Sequence, residues 1–425
     1  MKNTKLIVKT KSKSYPIYFG NNILNTTGRL LKKNLPGIKK ICIIGDNKLP
    51  KFILNKLIYS GVSVMDLGFF TMPIHPPHRP QFETLREDFE MTILAEKLGF
   101  KEGFFGEHIT DEAENITSSL IFIAWLLEQT KKITLGTGTV NIPNNHPVRI
   151  AAEVAMVDHM AKGRFLFGIS PGGLMSDAEV FGNLERDRTA MFLEGIDFIL
   201  KIWSGDAPYN LKGDFWNIST EKTMIPEIGQ GIIGKPYQLP HPPIVVTAVA
   251  PFSKGVKAAA ARGWEPISAN FLQPIWVASH WPNYVEGCEE ARREADPANW
   301  RVAKSIFVAD DSGVAEAYAT GQDGPYYFYF HSLYTKLMRG GRANLFKTHK
   351  EQADDSLNLE TIVDQLVIRG TVNQVVDQLL EFREIVGDFG TLLYAGHDWM
   401  DKELAKRSMR LMMEEVMPRI NAAIQ

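Results

Sequence analysis

Cysteine is nearly absent from this sequence of 425 residues, which contains only Cys42 and Cys288. Two cysteines cannot build a disulfide framework, and without a CxxC pair the chain offers no cysteine-based metal site. Long apolar runs are missing too, so no segment is long enough to span a membrane. The N-terminal stretch MKNTKLIVKTKSKS has no apolar core of signal-peptide length. With 44% hydrophobic and 23% charged residues, we predict a folded cytoplasmic protein of enzyme size.

Motifs for several kinds of cofactor are missing as well. The sequence has no Walker loop, and no GxGxxG fingerprint follows a predicted strand, which excludes a nicotinamide-binding domain of that type. His75 and His78 flank two prolines and suggest a zinc site at first sight. No further pair of histidines or cysteines is spaced to complete a tetrahedral set, so we predict no metal site.

The charge divides the chain into two parts. Residues 1–64 carry 12 lysines and one arginine against one acid, a net charge of +12, whereas the remainder carries 34 bases against 48 acids, or −14. A basic tail of this kind can bind nucleic acid. Here the lysines alternate with strand-like and helix-like apolar runs and lack a set of stacking aromatics. We therefore predict a small folded α/β segment and no nucleic-acid or membrane partner.

Two stretches of this segment, YPIYFGNNIL and KKICIIGDNKLPKFILNKL, resemble the opening of 3-dehydroquinate synthase. The glycine-rich loop and metal ligands of that family have no match downstream, so its activity is not predicted and a bifunctional enzyme is disfavoured. Met65 begins the start-like run MDLGFF. Residues 1–64 are thus either a fusion or an assembly artefact, and we expect them to be dispensable for catalysis.

From residue 65 to residue 425 strand-like and helix-like segments alternate. The order predicts a (β/α)₈ TIM barrel rather than an open doubly wound sheet, with long insertions at 206–242 and 312–389. A stripe of methionine and isoleucine from Met409 to Ile424 has helical spacing, which predicts core packing in the last helix. The eight predicted strands are 66–72, 102–108, 133–140, 164–170, 243–250, 265–271, 301–311 and 390–396.

The carboxyl ends of barrel strands carry active sites in this fold, and polar or small residues occupy those positions here. Glu107 and His108 follow the second strand, and a histidine suits proton exchange near neutral pH. A satisfied polar pair is the alternative. The third, fourth, fifth and eighth predicted strands end in residues 138–141, 170–173, 248–253 and 396–398, respectively.

These segments together resemble the bacterial luciferase-like flavin monooxygenases, in the limonene-monooxygenase-like branch. The resemblance spans nearly all of 65–425 and is carried by MDLGFFTMPIHPPHRP, GFFGEH, ITLGTGTVNIPNNHPVRIAAEVAMVDHMAKGRFLFGISPGG and FGTLLYAGHDWMDKELAKRSMRLMMEEVMPRI. It implies a barrel that binds reduced FMN and uses O₂ to oxidise a small apolar substrate. It also implies a separate NAD(P)H-dependent flavin reductase and a homodimer.

The resemblance assigns roles to individual residues. His108 matches the catalytic histidine, with Glu107 beside it. Arg188 aligns approximately with the phosphate-binding arginine, although Arg186 is an alternative two residues upstream. A strained peptide is expected at Gly138-Thr139. The predicted cofactor-binding residues are Gly138, Thr139, Ser170, Gly172, Gly173, Arg188, Val246, Ala248, Val249 and Ser253.

Three alternatives remain open from the sequence. A deazaflavin-dependent dehydrogenase or reductase shares this barrel pattern, and a non-enzymatic flavin-binding relative is a second possibility. The third concerns GPYYFYFHSLY at 324–334, which is either ordinary core or an aromatic lid that keeps water from the flavin.

Overall fold

The computed structural model describes residues 4–9, 14–19 and 64–424. At the N-terminus, β1 (Thr4–Lys9) and β2 (Ser14–Phe19) pair as an antiparallel hairpin. The other elements expected before residue 64, together with Cys42, lie outside the described residues. That 1–64 and 65–425 are separate domains stays a prediction.

Eight parallel strands close into a barrel, which confirms the predicted fold. The strands after the hairpin are β3 (Asp66–Thr71), β4 (Glu102–Phe105), β5 (Thr134–Thr137), β6 (Val140–Asn141), β7 (Phe165–Ser170), β8 (Asn210–Lys212), β9 (Asn217–Ser219), β10 (Ile244–Ala248), β11 (Glu265–Ser268), β12 (Arg301–Val308), β13 (Val367–Gly370) and β14 (Thr391–Ala395). Going around the barrel, the order is β10, β11, β12, β14, β3, β4, β5 and β7, and pairing of β10 with β7 completes the ring.

Helices surround the ring and fill the second insertion. They are α1 (Gln81–Leu98), α2 (Ser119–Leu127), α3 (Pro147–Ala161), α4 (Met175–Val180), α5 (Arg188–Ser204), α6 (Lys254–Ala261), α7 (Pro274–Ala278), α8 (His280–Glu290), α9 (Ser312–Thr320), α10 (Pro325–Arg339), α11 (Leu359–Leu366), α12 (Val372–Val386), α13 (Lys402–Leu411) and α14 (Met417–Ile424). Among the described residues, no helix is long and apolar enough to cross a membrane.

Two helix predictions need correction in detail. The single helix expected near 275–294 is divided into α7 and α8 at Ser279. The Ser279 hydroxyl donates to the carbonyl of Trp276 and accepts from the backbone N–H of Phe252, so it ties the break to the preceding loop. The last helix contains a π turn at Met412–Val416, and its methionine stripe packs into the core as predicted.

The interior of the barrel is filled by side chains from alternate strand positions. Strand β5 contributes Gly136, where a Cβ atom would come within 2.4 Å of the Phe104 ring. At the amino-terminal end, Arg301 closes the barrel by pairing with Glu102 and Glu265. The inner apolar layer comprises Phe70, Phe104, Leu166, Val245, Ile267, Ala303 and Leu393.

The second insertion brings α10 to the carboxyl end of the barrel, here called the mouth. Tyr326 donates its hydroxyl hydrogen to the carbonyl of Ile306 in β12, and Tyr329 donates to the side chain of Asn270 after β11. Both tyrosines are fully buried. The aromatic run at 324–334 therefore belongs to the core and covers part of the mouth at the same time.

Candidate active site at the barrel mouth

His108 lies just beyond β4 and forms a pair with Asp177 of α4. Its Nδ1 is 2.9 Å from Asp177 Oδ2, while Asp177 Oδ1 accepts from the backbone N–H groups of Ile109 and Thr110. Burial would raise the pKa of Asp177, but the hydrogen bonds from His108 and Thr110 outweigh it and lower that pKa. Asp177 is therefore an ionised partner that fixes the orientation of the imidazole.

The opposite edge of the His108 ring faces Glu114. The Nε2 atom is 3.6 Å from Glu114 Oε2, an oxygen with no hydrogen-bond partner among the described residues. Glu114 Oε1 accepts from Lys336 of α10 at 3.0 Å, and Lys336 also pairs with Asp111. Burial lowers the pKa of His108 and so does Lys336, yet the carboxylates of Glu114 and Asp177 prevail and raise it. The imidazole is thus favoured in its charged form.

Glu107 is turned away from this pair and holds neighbouring loops. One carboxylate oxygen accepts from the backbone N–H and the hydroxyl of Ser119 at 2.9 and 2.6 Å, and the other accepts from the backbone N–H of Asn141. Burial raises the pKa of Glu107 despite these bonds. The geometry suits a residue that positions α2 and β6, and the predicted catalytic role of Glu107 stays untested.

A polar chain connects the ends of β5 and β7. The peptide between Gly138 and Thr139 is cis, and the Thr139 hydroxyl donates to Ser170 Oγ at 2.7 Å. Ser170 in turn donates to Asn141 Oδ1 and accepts from the backbone N–H of Gly172. Gly168 to Gly172 has the GxSxG spacing of a nucleophile elbow. Ser170 contacts no histidine among the described residues, so it is not activated as a nucleophile there.

Arg188 begins α5 beside the same loop. Its guanidinium donates to the carbonyl of Gly172 at 3.2 Å. Arg186 instead lies over the Phe215 ring and contacts Asn183, so the geometry favours Arg188 of the two alternatives. Gly173 has open space around it, since a Cβ atom there would meet nothing within 4 Å.

A second arginine that sequence reasoning missed, Arg342, follows α10 near Arg188. Both are half-buried. Burial lowers the pKa of Arg342, and the positive charge of Arg188 lowers it further. Neither guanidinium pairs with a carboxylate in the part of the chain that the structure describes. Two neighbouring cations without a counterion form a favourable place for an anion such as a phosphate.

The four cofactor-binding residues predicted on β10 and in the loop after it differ in their surroundings. Val246 packs against the main core, and Ala248 packs against α6 and α8. Their side chains therefore face the helices, and only their backbone groups are directed along the rim. Val249 is half-buried. Ser253 precedes α6 without capping it, which leaves its hydroxyl available to a ligand.

His75 and His78 are separated by the fold. His78 is exposed, whereas buried His75 contacts Asp88 at 3.1 Å through Nε2 and Asp398 through Nδ1. His75, Glu87 and Asp398 are close enough to hold a cation, but Arg79 already pairs with Glu87 and Asp398. Burial lowers the pKa of His75, yet the two aspartates raise it to about 10. We interpret the cluster as an ion-pair network that joins β3 to the end of β14.

Known proteins resemble this chain over most of its length. Residues 65–388 match the family described as luciferase-like monooxygenase. The chain belongs to the luciferase-like monooxygenase family. It is 29% identical over 366 residues to 4-hydroxyprotoasukamycin monooxygenase from Streptomyces nodosus subsp. asukaensis, covering 85% of this chain and 93% of that protein. It is 26% identical over 361 residues to limonene 1,2-monooxygenase from Rhodococcus erythropolis, covering 84% and 87%.

Among solved structures, the fold is similar to the oxygenating constituent of 3,6-diketocamphane monooxygenase from Pseudomonas putida. The TM-score is 0.75 at 24% identity, over 84% of this chain and 99% of that one, and its title describes a type II Baeyer-Villiger monooxygenase in complex with FMN. The predicted family and the predicted enzyme class, a monooxygenase, are confirmed.

The luciferase-like barrel brings together most residues expected from the sequence. His108, Thr139, Ser170, Gly172 and Arg188 all lie on one rim. Glu114, Lys336 and Arg342 were missed because nothing in their local sequence marks them. Asp177 was missed too, although its position seven residues after the end of β7 is a local signal that could have found it.

Proposed function

We propose that this luciferase-like monooxygenase is the oxygenating component of a two-component system that uses reduced FMN and O₂ on a small apolar organic substrate. The observation that carries the proposal is the pair of uncompensated guanidinium groups, Arg188 and Arg342, beside Gly172. A charged phosphate would relieve their mutual repulsion. The hydrogen-bonded chain of Thr139, Ser170 and Asn141 and the His108 pair share the rim with them, as a cofactor that spans the mouth requires.

The residues present fit this cofactor. Arg188 and Arg342 would hold the phosphate, with the Gly172 and Gly173 backbone and the Ser253 hydroxyl as neutral donors. Bound reduced flavin would supply the two electrons with which one atom of O₂ enters the substrate and the other leaves as water. His108 would hold a proton at Nε2, oriented by Asp177. The buried aromatic face of α10 would exclude water from the mouth.

The cofactor test is binding of reduced FMN, oxidised FMN and deazaflavin, followed by oxygen uptake with each reduced form. We expect oxygen uptake with reduced FMN and none with reduced deazaflavin. Hydride transfer with deazaflavin and no oxygen consumption would instead support the dehydrogenase alternative. Binding of flavin without either reaction would support the non-enzymatic one.

The phosphate contact has its own test. A charge-assisted hydrogen bond contributes about 1.5–3 kcal/mol, so Arg188→Ala should weaken FMN binding about ten- to hundredfold. Riboflavin, which has no phosphate, should lose little. Arg186→Ala is the matched control and should leave both affinities unchanged. Equal losses for FMN and riboflavin would contradict a phosphate contact, and a loss confined to Arg186→Ala would transfer the role to that residue.

The first proposed partner is a flavin reductase. Because the sequence has no nicotinamide-binding fingerprint, reduced flavin would come from a separate NAD(P)H-dependent reductase in the cytoplasm.

The second proposed partner is another copy of the chain. Neighbouring helices α2 and α3 expose Ile121, Trp125, Met156 and Met160, an apolar face that a second copy of the chain would cover. Sedimentation should give a dimer, and Ile121→Glu with Met156→Glu should give a monomer. A monomeric wild-type protein would contradict the homodimer.

A further inference from the structure

The loop between β10 and α6, residues 249–253, has an unfavourable backbone conformation at Phe252. The φ angle there is +50°, in the left-handed region that bulky residues rarely adopt. The Phe252 ring is exposed and lies 5.8 Å from the Trp276 ring between centroids, so burial of the side chain does not enforce this conformation. A hydrogen bond does, because Ser279 Oγ accepts from the backbone N–H of Phe252 at 2.8 Å. Strain that the surroundings maintain is concentrated at functional sites.

Two further side chains, both from α8, hold the backbone on either side of Phe252. Asn283 Nδ2 donates to the carbonyl of Ser253 at 2.9 Å. His280 Nε2 is 2.8 Å from the carbonyl oxygen of Ala250, and the His280 side chain is fully buried. The β10–α6 loop is therefore held at one backbone N–H and at two carbonyls, all from the start of one helix.

A chain of hydrogen bonds determines which nitrogen of His280 carries the proton. The carbonyl of Ala250 can only accept, so the hydrogen resides on Nε2, and Nδ1 of the neutral ring is an acceptor. Ser268 Oγ lies 2.8 Å from that Nδ1 and itself accepts from Trp300 Nε1 at 2.9 Å. Burial lowers the pKa of His280 to about 4, although the bond to Ala250 acts in the opposite direction. The ring is thus neutral and partnered at both nitrogens.

The β10–α6 loop lies beside the proposed phosphate site. Strand β10 runs parallel to β7, with Val246 opposite Ile169, so the loops that follow these two strands are neighbours on the rim. The loop after β7 contains Gly172, whose carbonyl accepts from Arg188. Ser253, at the end of the β10–α6 loop, does not cap α6 with its hydroxyl. A shift of this loop would therefore move donors next to the phosphate.

We propose that His280 is a positioning residue, whose Nε2–H holds the Ala250 carbonyl so that the β10–α6 loop presents Ser253 to the phosphate of FMN. The imidazole is buried and both of its nitrogens are occupied, so it acts through the loop and does not touch the cofactor. This inference rests on the proposed function and adds a residue that supports its phosphate site. Because the ring is neutral, its contribution is a directed hydrogen bond and not a charge.

The tautomer can be tested without flavin or turnover. Protein labelled with ¹⁵N at histidine, compared with His280→Gln for assignment, should show a neutral His280 ring with its hydrogen on Nε2 between pH 6 and pH 8. An Nδ1–H tautomer or a charged ring would overturn the proposal, because neither is compatible with a neutral Nε2–H held by the Ala250 carbonyl.

Affinity for oxidised FMN and for riboflavin, measured by calorimetry, tests the positioning role. In His280→Gln the amide nitrogen replaces Nε2, and in His280→Asn the shorter amide reaches only the position of Nδ1. We expect the glutamine variant to bind both compounds like wild type. The asparagine variant should lose about tenfold in FMN affinity, the effect of one hydrogen bond, and little in riboflavin affinity. Equal losses for the two compounds, or equal behaviour of the two variants, would overturn the proposal.

A second variant keeps the test decisive if His280→Asn does not fold. Ser279→Ala removes the acceptor for the Phe252 N–H from a half-buried position and should likewise weaken FMN binding more than riboflavin binding. Equal effects on both compounds would overturn the proposal. Wild-type protein that binds FMN no better than riboflavin would contradict the proposed phosphate site itself, whereas a wild-type preference for FMN that all three variants retain would contradict the positioning role alone.

Discussion

Two sides of the barrel mouth present the same side chain in opposite surroundings. On one side, His108 lies between the carboxylates of Asp177 and Glu114, which raise its pKa. On the other, His397 is enclosed by tyrosine rings and a serine hydroxyl, and burial lowers its pKa to about 3. A position at the end of a barrel strand therefore does not decide whether a histidine is charged. The neighbours that the fold supplies decide it.

One helix contributes to both sides. From α10, Lys336 pairs with Glu114 beside His108, and Tyr329 stacks on His397. The second insertion thus sets the electrostatics of a charged site and of a neutral one, 7 residues apart along the same helix. The two sides therefore differ in charge, with an imidazole favoured in its charged form at His108 and a neutral imidazole at His397.

The largest expected effect comes from removing the charged histidine, His108. His108→Ala should lower turnover by about 10²–10⁴, the usual effect of losing a proton-transfer group, and should hardly change FMN affinity, which depends on the arginines. Turnover is measured with substrate and reductase present, and exposed His78→Ala is the matched control. Wild-type turnover in His108→Ala would contradict the proposed proton-transfer role of His108, and the difference in charge between the two histidines would then have no catalytic meaning.

The next effect concerns a histidine that is charged but structural. Breaking a buried ion pair costs about 3–5 kcal/mol, so His75→Gln should lower the free energy of unfolding by that amount at pH 6. Because the folded pKa of about 10 exceeds the ordinary value near 6.5, this stability is fully present below pH 6.5 and is lost as the pH rises toward 10.

Urea unfolding of His75→Gln and wild type at pH 6 and pH 9.5 measures the difference, with His78→Gln as control. The gap between the two proteins should be smaller at the higher pH. A gap that widens with pH would mean that His75 is neutral in the folded protein, like His397, and the ion-pair interpretation would be wrong.

Two substitutions that change the charge around His108 should have smaller effects and test whether its neighbours set its pKa. Glu114→Gln removes the carboxylate that favours the imidazolium, so the pKa of His108 should fall. Lys336→Met removes a cation that disfavours it, so the pKa should rise. NMR titration of the His108 ring measures both. Shifts in the same direction, or none, would show that Glu114 and Lys336 do not control His108, and the His397 signal should stay constant throughout.

The smallest effect is expected from removing residues 1–64. The family match begins at residue 65, and every described residue that the mouth is built from comes after it. A chain beginning at Met65 should keep flavin binding, turnover and both histidine pKa values. Loss of activity in a folded, soluble truncated protein would contradict the prediction that this basic segment is dispensable.

Much of the architecture was predictable because its signals are local. Each barrel strand is a short apolar run next to a helical pattern, and the ends of parallel strands must meet at one face. That rule placed His108, Ser170 and His397 at the mouth. The end of α3 has a local signal too, because Lys162 and Gly163 follow its last residue and both adopt positive φ values.

The partners of those residues were not predictable in the same way. Asp177 is 69 residues from His108, and Lys336 is 222 residues from Glu114. Arg342 carries no motif at all, and its value as an anion site arises only from its closeness to Arg188. The outward direction of Val246 and Ala248 likewise depends on the strand register, which the family resemblance did not specify.

The sequence by itself determined the barrel, the family and the set of polar groups at its mouth, because the periodicity and order of segments are written along the chain. Only the tertiary structure decided what each group does. Charge state depends on burial and on the nearest carboxylates and cations, and these come from elements that are distant in sequence. His75, His108 and His397 all follow barrel strands, yet packing places the first in an ion-pair network, the second between two carboxylates and the third among uncharged rings and a hydroxyl.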